Sequence, residues 1–257
     1  MDTVRALAFF DLDGTLLNDQ SQIAPETANA LSQMKKNGVM PVIATGRTNT
    51  EIQHFLENTI ISSSITMNGQ YAMVENQEVI NDKIPVETTH KLFQKTQELG
   101  QELAFYTHQQ IKISAQTEMA EKCYKYIHQP VPPVNQEDIL QNSYNMLLVI
   151  GDKHDAVYHE AFPELTFYRN GPYSIDTVSK NKSKGSAVKE ILSYLGGKNL
   201  PTFGFGDGPN DIELLQACDY KIAMGNGIDS LKEMATYITA KNTEGGIVQA
   251  LKHYDLI

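Results

Sequence analysis

Asp11 and Asp13 stand two residues apart, directly behind the apolar run Leu7-Ala8-Phe9-Phe10, and are followed by Gly14-Thr15. Similar polar turns close other apolar runs: Thr45-Gly46-Arg47, then Asn68-Gly69, then Asp207-Gly208-Pro209-Asn210-Asp211, while Lys184-Gly185 opens a stretch of helical spacing. Carboxylates gathered in one place repel unless they bind a cation or share a proton. A few hard oxygen ligands suit Mg²⁺ better than zinc. A lysine, a threonine hydroxyl and glycine-exposed backbone N–H groups beside such a metal suit a phosphate. Acids coupled to a phosphate cradle imply phosphoryl transfer, in which catalysis is mostly positioning and charge neutralisation.

The spacing predicts roles. Asp11, at the end of its strand, is placed to attack phosphorus with a carboxylate oxygen. Asp13 is then the group that protonates the leaving oxygen and later takes a proton from water. Asp207 would hold part of the metal, and Thr45 and Lys184 the non-bridging oxygens. Arg47 is open between a substrate contact and a structural ion pair, and Asn68 between a left-handed turn and a substrate contact.

Those turns have to be held by strands. Residues 4–10, 39–47 and 62–70 read as buried strands, with helices predicted over 25–37 and 50–56. Strand, helix, strand, helix, strand is the signature of a parallel sheet wound with helices, and ligands bind at the carboxyl ends of such strands. The pattern returns late: a helix over 184–195, a strand over 202–205, a helix over 210–218, a strand and turn over 220–227 and a helix over 228–235. Between them, helices over 88–99 and 118–126 alternate with short strands over 103–106, 111–114, 146–150 and 165–168. The expected fold class is α/β: a doubly wound core made of 1–82 and 179–257, interrupted by an inserted α+β domain over 83–178.

"DLDGTLL", "IATGR", "SKG" and "GFGDGPNDIELL", in that order, resemble the four motifs of the haloacid-dehalogenase-like hydrolases. Within that superfamily the chain is most similar to the Cof-type phosphatases, whose α/β cap is inserted after the third strand; "MNGQY", "MGNG" and "NTEGGIVQAL" share the likeness. The resemblance implies Mg²⁺-dependent hydrolysis of a phosphate monoester through a phospho-aspartate. It makes Asp11 the nucleophile, and Asp13 the acid and base that also gives its backbone carbonyl to the metal. Asp207 becomes a metal ligand and Asp211 a ligand or its support. The Leu12 N–H, Thr45, Gly46, Lys184 and Asn210 become phosphate contacts. One stretch departs from the pattern. "VSKNKSKG" carries Asn181 and Lys182 where the family usually has a glycine and an apolar residue, so Lys180 and Lys182 stand close to Lys184.

Other classes fit less well. An EF-hand beginning at Asp11 would need Gly and Glu where Leu16 and Gln22 stand, and "GFGDG" lacks the last glycine of a dinucleotide loop. Cys123 and Cys218 do not make a disulfide framework. The net charge of −10 argues against a nucleic-acid or anionic-membrane partner, and no apolar run approaches the ~18 residues of a membrane span. The expectation is a cytoplasmic enzyme acting on a small phosphorylated metabolite: a sugar phosphate, a nucleotide or a cofactor phosphate. A phosphomutase using the same aspartates, or a phospho-acceptor signalling module, remains the alternative. Nothing in the sequence sets an oligomeric state.

Overall fold

The computed structural model describes residues 4–139, 141–197 and 199–257. The first residues of the expected core segment, 1–3, lie outside them. Eight strands form one sheet: β1 (Ala6–Phe10), β2 (Val39–Ala44), β3 (Ser64–Thr66), β4 (Tyr71–Val74) and β5 (Gln77–Asn81) from the first part of the chain, with β11 (Thr202–Gly206), β12 (Tyr220–Ala223) and β13 (Tyr237–Ile238) from the last. Their order is β13-β12-β11-β1-β2-β3-β4-β5. The pairs from β13 to β3 are parallel, and β3 pairs antiparallel with β4.

Alternation along β1 explains why this sheet is covered on both faces. Ala6, Ala8 and Phe10 pack with Leu31 and Met34 of the helix Pro25–Lys36 and with Ile247, Ala250 and Leu251 of the helix Gly246–His253. Leu7 and Phe9 point the other way, into a core with Val188 and Ile191 of the helix Lys184–Tyr194 and with Leu214, Leu215 and Leu231. A strand buried on both faces reads as the near-continuous apolar run seen in the sequence. The doubly wound parallel sheet is therefore present, extended beyond β3 by an antiparallel β4 and by β5 at its edge.

A second sheet, in the order β7-β6-β8-β10-β9, is antiparallel throughout: β6 (Glu102–Tyr106), β7 (Ile111–Ile113), β8 (Met146–Ile150), β9 (Leu165–Gly171) and β10 (Ser174–Ser179). Leu103, Phe105, Leu147, Val149 and Ile175 of this sheet bury against Leu92, Tyr158 and Phe162. The described residues fall into two compact units. One runs up to Arg47 and includes Glu51–Ile80 and Ser183–Ile257; the other comprises Thr48–Thr50 and Asn81–Lys182. Among the described residues no helix is long and apolar enough to cross a membrane.

Parallel pairing aligns the strand ends that matter. Phe10 of β1 registers with Phe205 of β11 and with Ile43 of β2. The Asp11 N–H continues the ladder to the Phe205 carbonyl at 3.0 Å. Chain direction leaves β1 towards β2 on one side and returns at β11 on the other, so Asp11 sits at the switch in strand order. The rings of Phe10 and Phe205 stack beneath it at 4.5 Å, both fully buried. Phe205→Ala should cost about 3–5 kcal/mol, read as a lower urea midpoint; a change under about 1 kcal/mol would show that this part of the core relaxes around the missing ring.

Candidate active site

Asp11 follows β1 in extended geometry (φ −64°, ψ 161°), and the chain then turns tightly over Leu12–Leu16 with Gly14 at φ +78°. That turn needs glycine on two counts. The backbone lies in the left-handed region, and a Cβ on Gly14 would come within 2.3 Å of Asp207 Oδ2. The loop after β11 is thereby brought directly against the loop after β1, and Thr15 Oγ1 donates to Asp207 Oδ1 at 2.7 Å.

Lys184 is the first residue of its helix, which Ser183 caps by accepting from the Ser186 N–H while donating its own N–H to Ser186 Oγ. A Cβ on Gly185 would lie 2.0 Å from the Glu213 carbonyl oxygen, so glycine lets this helix press against the helix Ile212–Ala217. The fully buried Lys184 ammonium reaches two acids, donating to Asp11 Oδ1 at 2.6 Å and to Asp211 Oδ1 at 2.7 Å. Asp211 in turn accepts the N–H groups of Asp207 and Gly208 on its Oδ2, each at 3.0 Å. Both oxygens of Asp211 are thus engaged in holding the lysine and the loop.

Asp11, Asp207 and Asp211 each offer a carboxylate oxygen within 4.8 Å of the others. Burial, with Asp211 beside it, pushes the Asp11 carboxyl well above the usual carboxylate range against the pull of Lys184. Burial also pushes Asp207 up to about 6, with the Thr15 hydrogen bond opposing and Asp211 reinforcing. Burial works against the Lys184 charge, but Asp11 and Asp211 overcome it and raise its pKa. Counted as ionised, three carboxylates and one ammonium carry a formal excess of two negative charges at the strand ends. An all-oxygen donor set with that charge fits a divalent cation of the Mg²⁺ type.

On the β2 side, Thr45 is buried, and its Oγ1 accepts the Arg47 N–H at 3.1 Å, which leaves the hydroxyl proton available to a ligand. Gly46 and Arg47 complete that turn, and the Arg47 guanidinium grips the Asp13 carboxylate. Asn68 is 1% exposed and left-handed (φ 51°), and its amide oxygen accepts from Asn210 Nδ2 at 2.9 Å. The expected left-handed turn is present, and the same side chain orients Asn210. Leu12 is fully buried.

The expected residues therefore fall into three linked groups: Asp11 with Asp207, Asp211 and Lys184; Asp13 with Arg47; and Asn210 with Asn68. Lys182 pairs with Asp82 at 2.5 Å. Two participants escaped sequence reasoning. Thr15 looks like an ordinary turn residue in the sequence yet binds Asp207, and Asn226 within "MGNG" donates its Nδ2 to the Gly14 carbonyl at 2.8 Å.

The profile of the haloacid dehalogenase-like hydrolases matches residues 8–251. The chain belongs to that family. More narrowly, it is a Cof-type phosphatase. The 5-amino-6-(5-phospho-D-ribitylamino)uracil phosphatase YcsE of Bacillus subtilis (strain 168) is 28% identical over 253 residues, 97% of this chain and 96% of that protein. Among solved structures, a hypothetical protein of Geobacillus kaustophilus HTA426 matches with a TM-score of 0.90 at 28% identity, over 98% of this chain and 100% of that one. The subclass IIB sugar phosphatase BT4131 matches with a TM-score of 0.88, also at 28% identity, over 98% and 100% of the two chains.

The raised carboxylates set a pH dependence. Without metal, folded Asp207 keeps its proton up to about pH 6, whereas the unfolded chain releases it near pH ~4. The folded state binds more protons across that window, so this contribution to stability falls as pH rises through it. Asp207→Asn removes the titrating group. In EDTA the variant should gain about 3 kcal/mol relative to the parent between pH 4 and pH 7, from ~2 pKa units, as read by urea unfolding at each pH. A pH-independent difference would reject the raised pKa.

Proposed function

We propose that the protein is a Mg²⁺-dependent phosphatase that hydrolyses a small phosphate monoester through an aspartyl phosphate on Asp11. The observation that carries this reading is the buried Lys184 ammonium shared between Asp11 and Asp211, with Asp207 alongside. A carboxylate fixed at a strand end beside a buried cation is placed to meet a dianionic phosphate.

In the first half-reaction an Asp11 oxygen forms the bond to phosphorus as the bond to the leaving oxygen breaks. Asp13 gives its proton to that oxygen. In the second, Asp13 takes a proton from the water that attacks the aspartyl phosphate, and Asp11 leaves as a carboxylate. Lys184, the Thr45 hydroxyl, Asn210 and the backbone N–H groups of Leu12 and Gly46 hold the non-bridging oxygens. Asp11 and Asp207 would hold Mg²⁺, with Asp211 and the Asp13 backbone carbonyl completing or supporting the set. The ion supplies neutralisation of the charge that Asp11 and the incoming phosphate bring together.

The unit containing Asn81–Lys182 is the cap of this reading, and leaving-group selection is assigned to it. The substrate class is a small phosphorylated metabolite in the cytoplasm. The names of YcsE and BT4131 point first to phosphates of sugars and of sugar-like chains.

The experiment is phosphate release with Mg²⁺ across a panel of sugar phosphates, nucleotides, flavin mononucleotide and pyridoxal phosphate. Multiple turnovers without an added sugar acceptor are expected. Phosphoryl transfer that requires a second sugar would instead identify a mutase, and a phospho-protein lasting minutes to hours a signalling module. Asp11→Asn should abolish turnover while keeping a cooperative melt. Full activity of that variant on an aryl phosphate would sink the nucleophile assignment.

A further inference from the structure

The grip of Arg47 on Asp13 is two-pronged. Arg47 Nε donates to Asp13 Oδ2 at 2.9 Å, and a terminal guanidinium nitrogen donates to Oδ1 at 2.5 Å. The two partners differ sharply in exposure: the Arg47 side chain is 17% accessible and that of Asp13 59%. Arg47 is itself anchored. Its N–H is held by Thr45 Oγ1, its carbonyl accepts the Met67 N–H at 3.0 Å, and its guanidinium carbon lies 6.0 Å from the centre of the Phe55 ring. A fixed, largely buried fork thus holds a carboxylate that stands on a tight turn and faces solvent.

Stability alone does not account for this. An exposed ion pair contributes about 0–1 kcal/mol, while withdrawing the guanidinium from water opposes the gain. What a bidentate fork adds over a point charge is direction, because both carboxylate oxygens are fixed at once. An acid that hands a proton to a departing oxygen has to be held within hydrogen-bond reach of it.

We propose that Arg47 is a positioning residue for the acid–base step, fixing the Asp13 carboxyl in the orientation from which its proton reaches the leaving-group oxygen. This rests on Asp13 being the acid of the proposed reaction. As the Asp11–phosphorus bond forms, the electron pair of the breaking phosphorus–oxygen bond stays on the leaving oxygen, and the Asp13 proton goes to it. Arg47 takes no proton and touches neither phosphorus nor the leaving group.

The test compares kcat/KM, which reports the chemistry up to departure of the leaving group, on two esters. Ribose 5-phosphate leaves as an alkoxide that needs a proton, whereas 2,4-dinitrophenyl phosphate leaves as a stable anion that does not. Arg47→Gln should lower kcat/KM on ribose 5-phosphate by about tenfold or more, part of the ~10²–10⁴ that general acid catalysis supplies. On the dinitrophenyl ester the change should stay within about threefold, which also shows that the variant is folded. Adding Arg47→Gln to Asp13→Asn should cause no further loss on ribose 5-phosphate. Equal losses on both esters, or a further loss in the double variant, would overturn the proposal. Asp13→Asn separates it from the reading beneath. If Asp13→Asn distinguishes the two esters and Arg47→Gln does not, only the role of Arg47 fails. If Asp13→Asn does not distinguish them, the acid assignment fails first.

Discussion

Everything at the strand ends depends on one electrostatic constraint: three carboxylates within 4.8 Å of one another and one buried lysine between them. Left uncompensated, such a cluster would push the loops apart. Lys184 reduces the repulsion by binding Asp11 and Asp211 together, and two backbone N–H groups take the remaining oxygen of Asp211. The residual charge still raises Asp11 and Asp207, burial being the larger cause in both. The surrounding architecture can be understood as what forces the charges together regardless. Parallel strands β1 and β11 end at the same level, and Gly14 lets the first loop lie against Asp207 where any Cβ would collide. A site strained by its own charge is poised to favour a bound cation that relieves it.

The parts of the fold that were legible in the sequence are those whose apolar pattern is unbroken. The helix Glu118–Tyr126 and strand β8 fall where hydrophobic spacing placed them, since helix period and continuous burial are strong local signals. Other elements lack that signal. Strands β4 and β5 are joined through Glu75 and Asn76, both at positive φ, without the Asn-Gly or Asp-Gly pair that marks such turns. Strand β13 is two residues long, and the helix Gly246–His253 begins directly after Gly245, where glycine reads as a stop. Strand β10 sets Ile175, Thr177 and Val178 among Ser174, Asp176 and Ser179, too irregular a pattern to separate from a loop.

Within the site, the residue types were legible and the partnerships were not. Aspartates at strand ends announce chemistry through their position alone. That one lysine would serve both Asp11 and Asp211, 173 and 27 residues away along the chain, is a property of three-dimensional proximity. The same holds for Thr15 on Asp207 and for Asn68 on Asn210, contacts spanning 192 and 142 residues. Each of these side chains has an ordinary local use, a turn or a cap, which is what a short sequence window favours.

The departure at "VSKNKSKG" shows how the structure separates residues that composition lumps together. Asn181 sits at φ +66°, a left-handed conformation that glycine takes freely and that asparagine tolerates better than most other residues. Asparagine is therefore compatible with the turn that the chain makes here. Lys182, where an apolar residue is usual, directs its ammonium to Asp82 within the Asn81–Lys182 segment. Two residues later the capped helix begins, and its first residue, Lys184, is carried to Asp11 and Asp211 instead. The neighbouring lysines thus differ less in chemistry than in which side of a helix start they occupy. Ser183 and Gly185 select Lys184, one by capping the helix and the other by letting it pack against the Glu213 carbonyl.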